Sequence, residues 1–353
     1  MESTQVQQKQ GKLFYGWWVL FACVIGQLVG PAQFAFGSLG MFIIPLHDEF
    51  GWSRSEISLA ATVFTLSLTI CMPIVGKFVD RFGSKRVLLP AMLVIGLSLG
   101  ILPIVLSKLW HLLFIFFLMG TLGAAANSLP FMMAISSWFD KWRGLAIGMT
   151  MAGSGLGYAA VPPLLEFVNS KYGWHYGYFV LAAIILLFAI PIVVLLFRNK
   201  PAEMGLLADG KIAITKNEAE STRVEIGFSR YQAIHNLNFW MLVLIFALLA
   251  FCLFGLLIHI VPMLVDRGMT SQSAAKVAGL VGITILCVRI PIGFFMDRFF
   301  APHVALGCFL LSAIGMLIFA LGATGAFIYI AAVLVGFSIG AEIDLLAFMA
   351  GRY

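Results

Sequence analysis

Residues 76–86 read GKFVDRFGSKR and residues 293–299 read GFFMDRF, so the pattern GxxxDRF occurs twice at an offset of 217 residues, from position 76 to position 293. The same offset relates two upstream positions of each copy, Gly51 and Ser53 in the first and Gly268 and Thr270 in the second. Chance rarely preserves such a spacing through a whole helix. The chain is therefore predicted to contain two homologous halves.

The composition points to a membrane protein. Of 353 residues, 61% are hydrophobic and only 11% are charged, whereas about a quarter of the residues in a soluble domain are charged. So few charged side chains do not supply the polar surface that water requires. We therefore predict an all-α, polytopic membrane protein. The five cysteines lie in apolar stretches without a CxxC pair, and they are expected to act as small core residues.

Ten stretches are long and apolar enough to be membrane spans, because a bilayer core of about 30 Å requires about 20 such residues in a helix. All eight tryptophans lie at or just beyond the ends of these spans, where the headgroup layer is expected. The spans, numbered 1 to 10, lie near residues 17–44, 56–76, 87–106, 111–134, 144–165, 175–197, 238–264, 273–296, 303–322 and 326–349.

Spans 2 and 8 begin with the same kind of signal. Ser53 followed by Glu56 fits a capping box, in which each residue's side chain binds the backbone N–H of the other. Thr270 or Ser271 is expected to cap span 8 in the same way. Glycines 148, 153, 155 and 157 of span 5 are expected to let that helix pack closely against its neighbours.

Positive charge is distributed unevenly along the chain. With the N-terminus inside, 16 of the 22 lysine and arginine residues fall on the cytoplasmic side and five on the outer side, while Arg289 lies within span 8. This bias predicts a cytoplasmic N-terminus in a multi-pass protein of the cell membrane. The basic residues are spread over short loops, so a nucleic-acid partner is not expected.

The repeat also suggests a domain organisation. We divide the chain into an N-terminal six-helix bundle at 1–197, a polar cytoplasmic linker at 198–237, and a C-terminal bundle at 238–353 that holds spans 7 to 10 only. We expect the sequence to be a C-terminally incomplete copy of a twelve-helix protein, with a ten-span protein as the alternative. Two bundles around a midplane site are typical of secondary transporters.

Three segments carry a resemblance to a known family. Residues 76–86 resemble the loop motif between helices 2 and 3 of the major facilitator superfamily. Residues 138–153, WFDKWRGLAIGMTMAG, are similar to the helix 5 signature of the monocarboxylate porters and match eight of its eleven defining positions. Residues 340–346 resemble helix 10 of those porters and of the oxalate/formate exchangers. The resemblance implies a two-bundle fold that moves small organic anions, monocarboxylates or related oxo- and dicarboxylates, by alternating access.

Arg289 is the strongest candidate for a substrate-binding residue. A guanidinium within a span costs several kcal/mol or more unless it meets a partner or a wet cavity, and its planar fork suits a carboxylate. The resemblance implies the same role, because an arginine before a proline in helix 8 holds the substrate carboxylate in relatives. The alternative is an internal ion pair with Glu342 or Asp344, which are expected at a similar depth.

Glu342 and Asp344 are also candidates for coupling transport to a proton, because burial favours the protonated form of a carboxyl group. The proton-coupled monocarboxylate porters carry a lysine within helix 1 and an aspartate four residues before the helix 8 arginine. Here no lysine lies between Lys12 and Lys77, and Ile285 replaces the aspartate. Proton symport and exchange against a counter-anion therefore both remain open.

Other polar residues of the spans are weaker candidates. Gln33, Asn127, Tyr158 and His259, with Gln27, are expected either to line the cavity or to form hydrogen bonds between helices. The loop motif is interpreted as a gate rather than a binding site, because it occurs twice at the membrane surface. Its residues are Gly76, Asp80, Arg81, Gly83, Lys85 and Arg86, with Asp297 and Arg298 in the second copy.

No sequence motif indicates an enzyme. The chain has no GxxxxGK[ST], no HExxH and no cysteine or histidine cluster, so no cofactor or metal is expected. We expect a monomer in the lipid bilayer whose partners are a small organic anion and either H⁺ or a counter-anion. The alternatives are an efflux carrier for other small molecules and a non-transporting truncated paralogue.

Overall fold

The computed structural model describes residues 14–140, 142–210 and 235–352. Ten helices, one for each predicted span, account for most of these residues. They are α1 at Gly16–Gly37, α2 at Arg54–Phe82, α3 at Ser84–Val105, α4 at Leu109–Trp138, α5 at Arg143–Tyr172, α6 at Trp174–Leu196, α7 at Leu237–Asp266, α8 at Ser271–Arg298, α9 at Ala301–Ala320 and α10 at Ala326–Arg352. A short helix, Ile43–Phe50, lies between α1 and α2.

Eight of these helices are long and apolar enough to cross a membrane, counted within the described ranges. The other two are α5, which is rich in small residues, and α10, whose apolar part is the shorter segment Ala326–Glu342. Large apolar side chains face outwards from the bundle, with exposures of 77% at Leu187 and 81% at Phe251. Such surfaces are stable in lipid rather than in water, and the predicted all-α, polytopic class is confirmed.

Three helices contain irregular turns within the membrane. Helix α1 is α-helical over Gly16–Leu28 and continues as a π-helix over Ala32–Gly37, and α6 contains a π-helical turn as well. Helix α4 changes to a 3-10 turn over Leu122–Ala126 before Asn127 starts its second half. Irregular backbone at membrane depth has to be satisfied by protein groups, and polar side chains lie at the breaks in α1 and α4.

The two predicted helix caps are confirmed. The Ser53 N–H donates to Glu56 Oε2 at 2.8 Å, and the Glu56 N–H donates to Ser53 Oγ at 3.2 Å. At α8 the cap is Thr270, whose Oγ1 accepts from the Ser273 N–H at 3.3 Å. The homologous starts of α2 and α8 therefore use the same local chemistry.

Helix α5 contacts α1 on one face and α8 on another because small residues leave room for both. A Cβ added at Gly153 would lie 2.3 Å from the Val24 carbonyl oxygen of α1, and one at Gly155 would lie 2.8 Å from the Leu286 nitrogen of α8. A Cβ on the α8 side, at Gly282, would lie 2.1 Å from the Ala159 nitrogen. These approaches confirm the close packing expected of span 5, whereas a Cβ at Gly148 would meet nothing within 4 Å.

Replacing Gly282 by valine is expected to force α5 and α8 apart, because the clashing atoms belong to the backbone and do not rotate away. Overpacking of this kind costs about 1 to 3 kcal/mol, which should appear as a melting temperature lower by a few degrees in detergent. Gly255→Ala on α7 is the matched control, since a Cβ there meets nothing within 4 Å. An unchanged melting curve for Gly282→Val would contradict the packing described.

Candidate functional site

Arg289 lies in the interior of the bundle, where its side chain links two helices. It is 8% exposed, and its Nη2 donates to Ser154 Oγ of α5 at 3.5 Å. Ser154 is also 8% exposed, and its hydroxyl donates to the Met151 carbonyl at 2.6 Å. Arg289 lies 18 residues from the start of α8 and 9 from its end, which corresponds to depths of roughly 27 and 14 Å.

Tyr158 and Glu342 are further buried polar residues in the interior of the bundle. The Tyr158 hydroxyl donates to the Ala32 carbonyl in the π-helical part of α1 at 3.2 Å. Tyr158 is itself 8% exposed. Glu342 is 7% exposed and comes from α10. Arg289, Tyr158 and Glu342 are thus buried residues of three helices, α8, α5 and α10, and we call these three residues the central site.

Gln27 and Gln33 lie on the α1 side of α5. Gln27 is buried and its Nε2 donates to Met151 Sδ at 3.4 Å. The Gln33 amide nitrogen, placed toward its nearest carbonyls, donates to Gln27 O at 3.3 Å and Gly30 O at 3.2 Å. These hydrogen bonds satisfy backbone carbonyl groups where α1 is interrupted. Gln33 therefore stabilises the helix at this point, and its part in substrate binding stays a prediction.

Asn127 has a similar task in α4. Its Oδ1 accepts from the Ser128 N–H at 2.8 Å, which caps the second half of the helix. Asn127 lies 11 residues from the last residue of α4, a depth of roughly 16 Å that is close to that of Arg289. The contacts described for Asn127 are those of a helix cap, and a role in substrate binding stays a prediction.

His259 is placed elsewhere. Its Nε2 lies 3.5 Å from Ser58 Oγ, and it lines a separate cavity near the ends of α2 and α7. Seven residues separate it from the end of α7, a depth of roughly 10 Å, whereas Arg289 lies roughly 27 Å from the same side. The helices place His259 about 16 Å nearer the predicted outer surface than Arg289, and a role for His259 in binding the same solute stays a prediction.

The loop motif of residues 76–86 is partly a structural clamp. Lys85 Nζ donates to the carbonyls of Val194 and Phe197 at 2.6 and 2.9 Å, which caps the end of α6. Its backbone N–H donates to Asn199 Oδ1 at 2.7 Å, and Gly83 has a φ of +82° that favours glycine. Sequence reasoning treated Lys85 as part of a gate and missed Asn199, whose position just after span 6 was the available signal.

The remaining motif residues lie at the predicted cytoplasmic surface. Asp80, Arg81 and Arg86 line a cavity of about 510 Å³ with Lys200 and Glu203. Gly76 has open space at its Cβ position. In the second copy Arg298 is exposed, and the side chain of Asp297 lies outside the described residues, as does that of Asp344 in α10. Gating by these residues stays a prediction.

Besides the contact between Ser58 and His259, two polar links join α1–α6 to α7–α10 on the predicted outer side within the described ranges, and the sequence alone indicates neither. Arg54 at the start of α2 forms an ion pair with Asp266 at the end of α7 through two parallel hydrogen bonds, one of them Nη2 to Oδ1 at 2.8 Å. Ser271 of α8 donates to Glu166 Oε2 of α5 at 2.6 Å. We call these four residues the outer latch. They hold the outer ends of the two groups of helices together.

The fold agrees with the comparison to known proteins. Residues 25–352 match the Major Facilitator Superfamily, and the chain belongs to this family of multi-pass membrane proteins. Among curated relatives it is similar to monocarboxylate transporter 4 of Gallus gallus, at 31% identity over 176 residues that cover 49% of this chain and 36% of that protein. It is also similar to the riboflavin transporter RibJ of Trypanosoma brucei brucei, at 30% identity over 142 residues that cover 39% of this chain and 26% of that protein.

The curated relatives are thus matched over about a third of their own length. Among the solved structures that share the fold are two transporters. The xylose transporter XylE of E. coli, in a partially occluded inward-open conformation, has a TM-score of 0.68 at 14% identity over 95% of this chain and 84% of that chain. A bacterial homologue of the human lysosomal transporter Spinster, inward-facing, has a TM-score of 0.67 at 17% identity over 95% and 76%.

Proposed function

We propose that the protein is a secondary transporter that moves small organic anions, chiefly monocarboxylates, by alternating access, and that Arg289 binds the carboxylate. The observation that carries this proposal is a guanidinium only 8% exposed at membrane depth. A permanent cation in that position is costly, and its planar fork binds a carboxylate through two parallel hydrogen bonds. The similarity to a protein named monocarboxylate transporter 4 supports the same substrate class.

The contact with Ser154 explains how a substrate gains access to Arg289. At 3.5 Å this bond is at the long limit for a hydrogen bond, so a carboxylate replaces it at little cost. Because Ser154 belongs to α5 and Arg289 to α8, ligand binding acts on the contact between the two groups of helices. The outer latch is closed in this structure, so no substrate is expected to reach Arg289 from the predicted outer side in this state.

Glu342 provides the charge that balances Arg289 when no substrate is bound. A carboxylate bound to Arg289 would leave Glu342 as a second negative charge in the same buried site, and such charges repel strongly where the dielectric constant is low. Protonation of Glu342 on loading keeps the site neutral in both states. The transport step that follows is symport of one monocarboxylate with one proton.

Purified protein in vesicles is expected to take up radiolabelled lactate in a saturable way, faster when the inside is alkaline and the outside acidic. Unlabelled propionate should compete, whereas propionamide, which has the same shape without the charge, should not. Protein-free vesicles provide the baseline for passive entry of the protonated acid. Uptake equal to that baseline for every short mono- and dicarboxylate would contradict the proposal.

A further inference from the structure

A second cavity, of about 310 Å³, lies beside the outer latch. It is lined by Arg54, His259, Pro262, Met263, Asp266 and Arg267, and we call it the outer pocket. We propose that the outer pocket binds a small monocarboxylate on Arg54, and that this ligand displaces Asp266 and so releases the outer latch. The identity of the ligand rests on the proposed function, whereas the site is defined by residues separate from the central site.

The bond pattern of Arg54 shows what the outer pocket recognises. Its two terminal nitrogens already hold a carboxylate, that of Asp266, through parallel hydrogen bonds. A monocarboxylate ligand reproduces this arrangement without loss of a hydrogen bond. The side chains of Arg54 and Asp266 are 38% and 48% exposed, so a solute reaches the pair from the predicted outer side. Exposed ion pairs are weak, which makes the exchange of one carboxylate for another reversible.

The rest of the pocket favours an anion with a short apolar end. Arg267 adds a second positive charge, held in place because its Nη1 donates to the Phe319 carbonyl at 2.6 Å. Two negative charges oppose these two arginines. Asp266 lies within the pocket, and the charge of Asp48 affects Arg54 from outside the pocket. Pro262 and Met263 provide an apolar wall. When a ligand binds, Asp266 is released to water, so the pocket exchanges one carboxylate for another and keeps its net charge.

Release of Asp266 has a structural consequence. Arg54 belongs to α2 and Asp266 to α7, so the ion pair is one of the two links that form the outer latch. With a ligand on Arg54, only the bond between Ser271 and Glu166 remains of that latch. External substrate therefore promotes the opening of the side from which it is to be taken up.

The test uses a background in which the central site is disabled. Propionate binding is measured by saturation-transfer NMR on purified Arg289→Ala protein, with Arg289→Gln as a second background should the first not fold. We expect weak binding, on the order of millimolar. Adding Arg54→Gln should abolish it, and adding Asp266→Asn should strengthen it by up to about fivefold, because the internal competitor is weakened. Lys108→Gln, which removes an outer charge away from the pocket, is the control.

The two proposals fail separately in this design. Absence of propionate binding in both Arg289 backgrounds would overturn the outer pocket while leaving the central site untouched. Binding that Asp266→Asn leaves unchanged or weakens would also overturn it, because a merely structural ion pair does not compete with the ligand. Transport that survives Arg289→Ala would instead contradict the proposed function and leave the outer pocket standing.

Discussion

Replacing Arg289 by alanine is expected to lower carboxylate uptake by about 30- to 5,000-fold, because truncating one partner of a buried, hydrogen-bonded charge pair costs about 2 to 5 kcal/mol. Arg289→Lys keeps the positive charge but loses the planar fork, and uptake should still fall at least about tenfold. Initial rates of lactate uptake into vesicles, normalised to the amount of reconstituted protein, measure both effects.

Arg198→Lys is the matched control for this experiment. Arg198 contacts a backbone carbonyl near the end of α6, that of Phe197, and is remote in sequence from the central site. The same exchange of arginine for lysine there should leave uptake within about twofold of wild type, as for most surface substitutions. If Arg289→Lys transports as well as Arg198→Lys does, the guanidinium does not hold the substrate.

Replacing Glu342 by glutamine is expected to separate net uptake from exchange. In the loaded state Arg289 is balanced by the substrate carboxylate, so the variant still reorients and exchanges labelled for unlabelled lactate within about threefold of wild type. In the empty state residue 342 no longer contributes a negative charge against Arg289, and moving the less well balanced charge costs several kcal/mol. Net uptake should therefore fall by about 100-fold. Counterflow and net-uptake assays on the same vesicles give the two rates.

The pH dependence of uptake provides a second test of the role of Glu342. Protonation accompanies loading in the proposed cycle, so wild-type net uptake rises as the external pH falls, and exchange by the glutamine variant should lose this dependence. The control for Glu342→Gln is Glu203→Gln, the same substitution at the predicted cytoplasmic surface. Gln33→Glu is less suitable because Gln33 donates hydrogen bonds to backbone carbonyls at the break in α1. Equal losses of net uptake and exchange in Glu342→Gln would contradict its role in charge balance.

The helices and their caps were predictable because their signals are local. Twenty apolar residues in succession require a span wherever the chain goes, and Ser53 and Thr270 cap their helices through neighbours three residues away. The depths of Arg289 and Glu342 follow from helical rise alone. Each of these features depends only on the spacing of residues along the chain, so it can be predicted from the sequence.

The features that sequence reasoning missed depend on contacts between distant helices. Nothing next to Ser154 indicates that Arg289 reaches it from 135 positions away, and Arg54 and Asp266 are 212 positions apart. The polarity of His259 predicts a place in the cavity but does not give its position relative to the other helices. The motif around Lys85 predicts a gate, and the contact of Lys85 with the end of α6 depends on the fold. Which side of the membrane is closed is equally invisible in the sequence, since both states of a transporter use the same helices.

The central claim is that a small carboxylate binds to Arg289 inside the membrane, and a structure determined with 2-bromopropionate tests it most directly. We predict the ligand carboxylate at about 2.7 to 3.0 Å from the Arg289 terminal nitrogens, with the bromine located by its anomalous signal and the Ser154 contact broken. A ligand-saturated structure in which Arg289 is paired with Glu342, and no bromine lies in the central site, would contradict the claim.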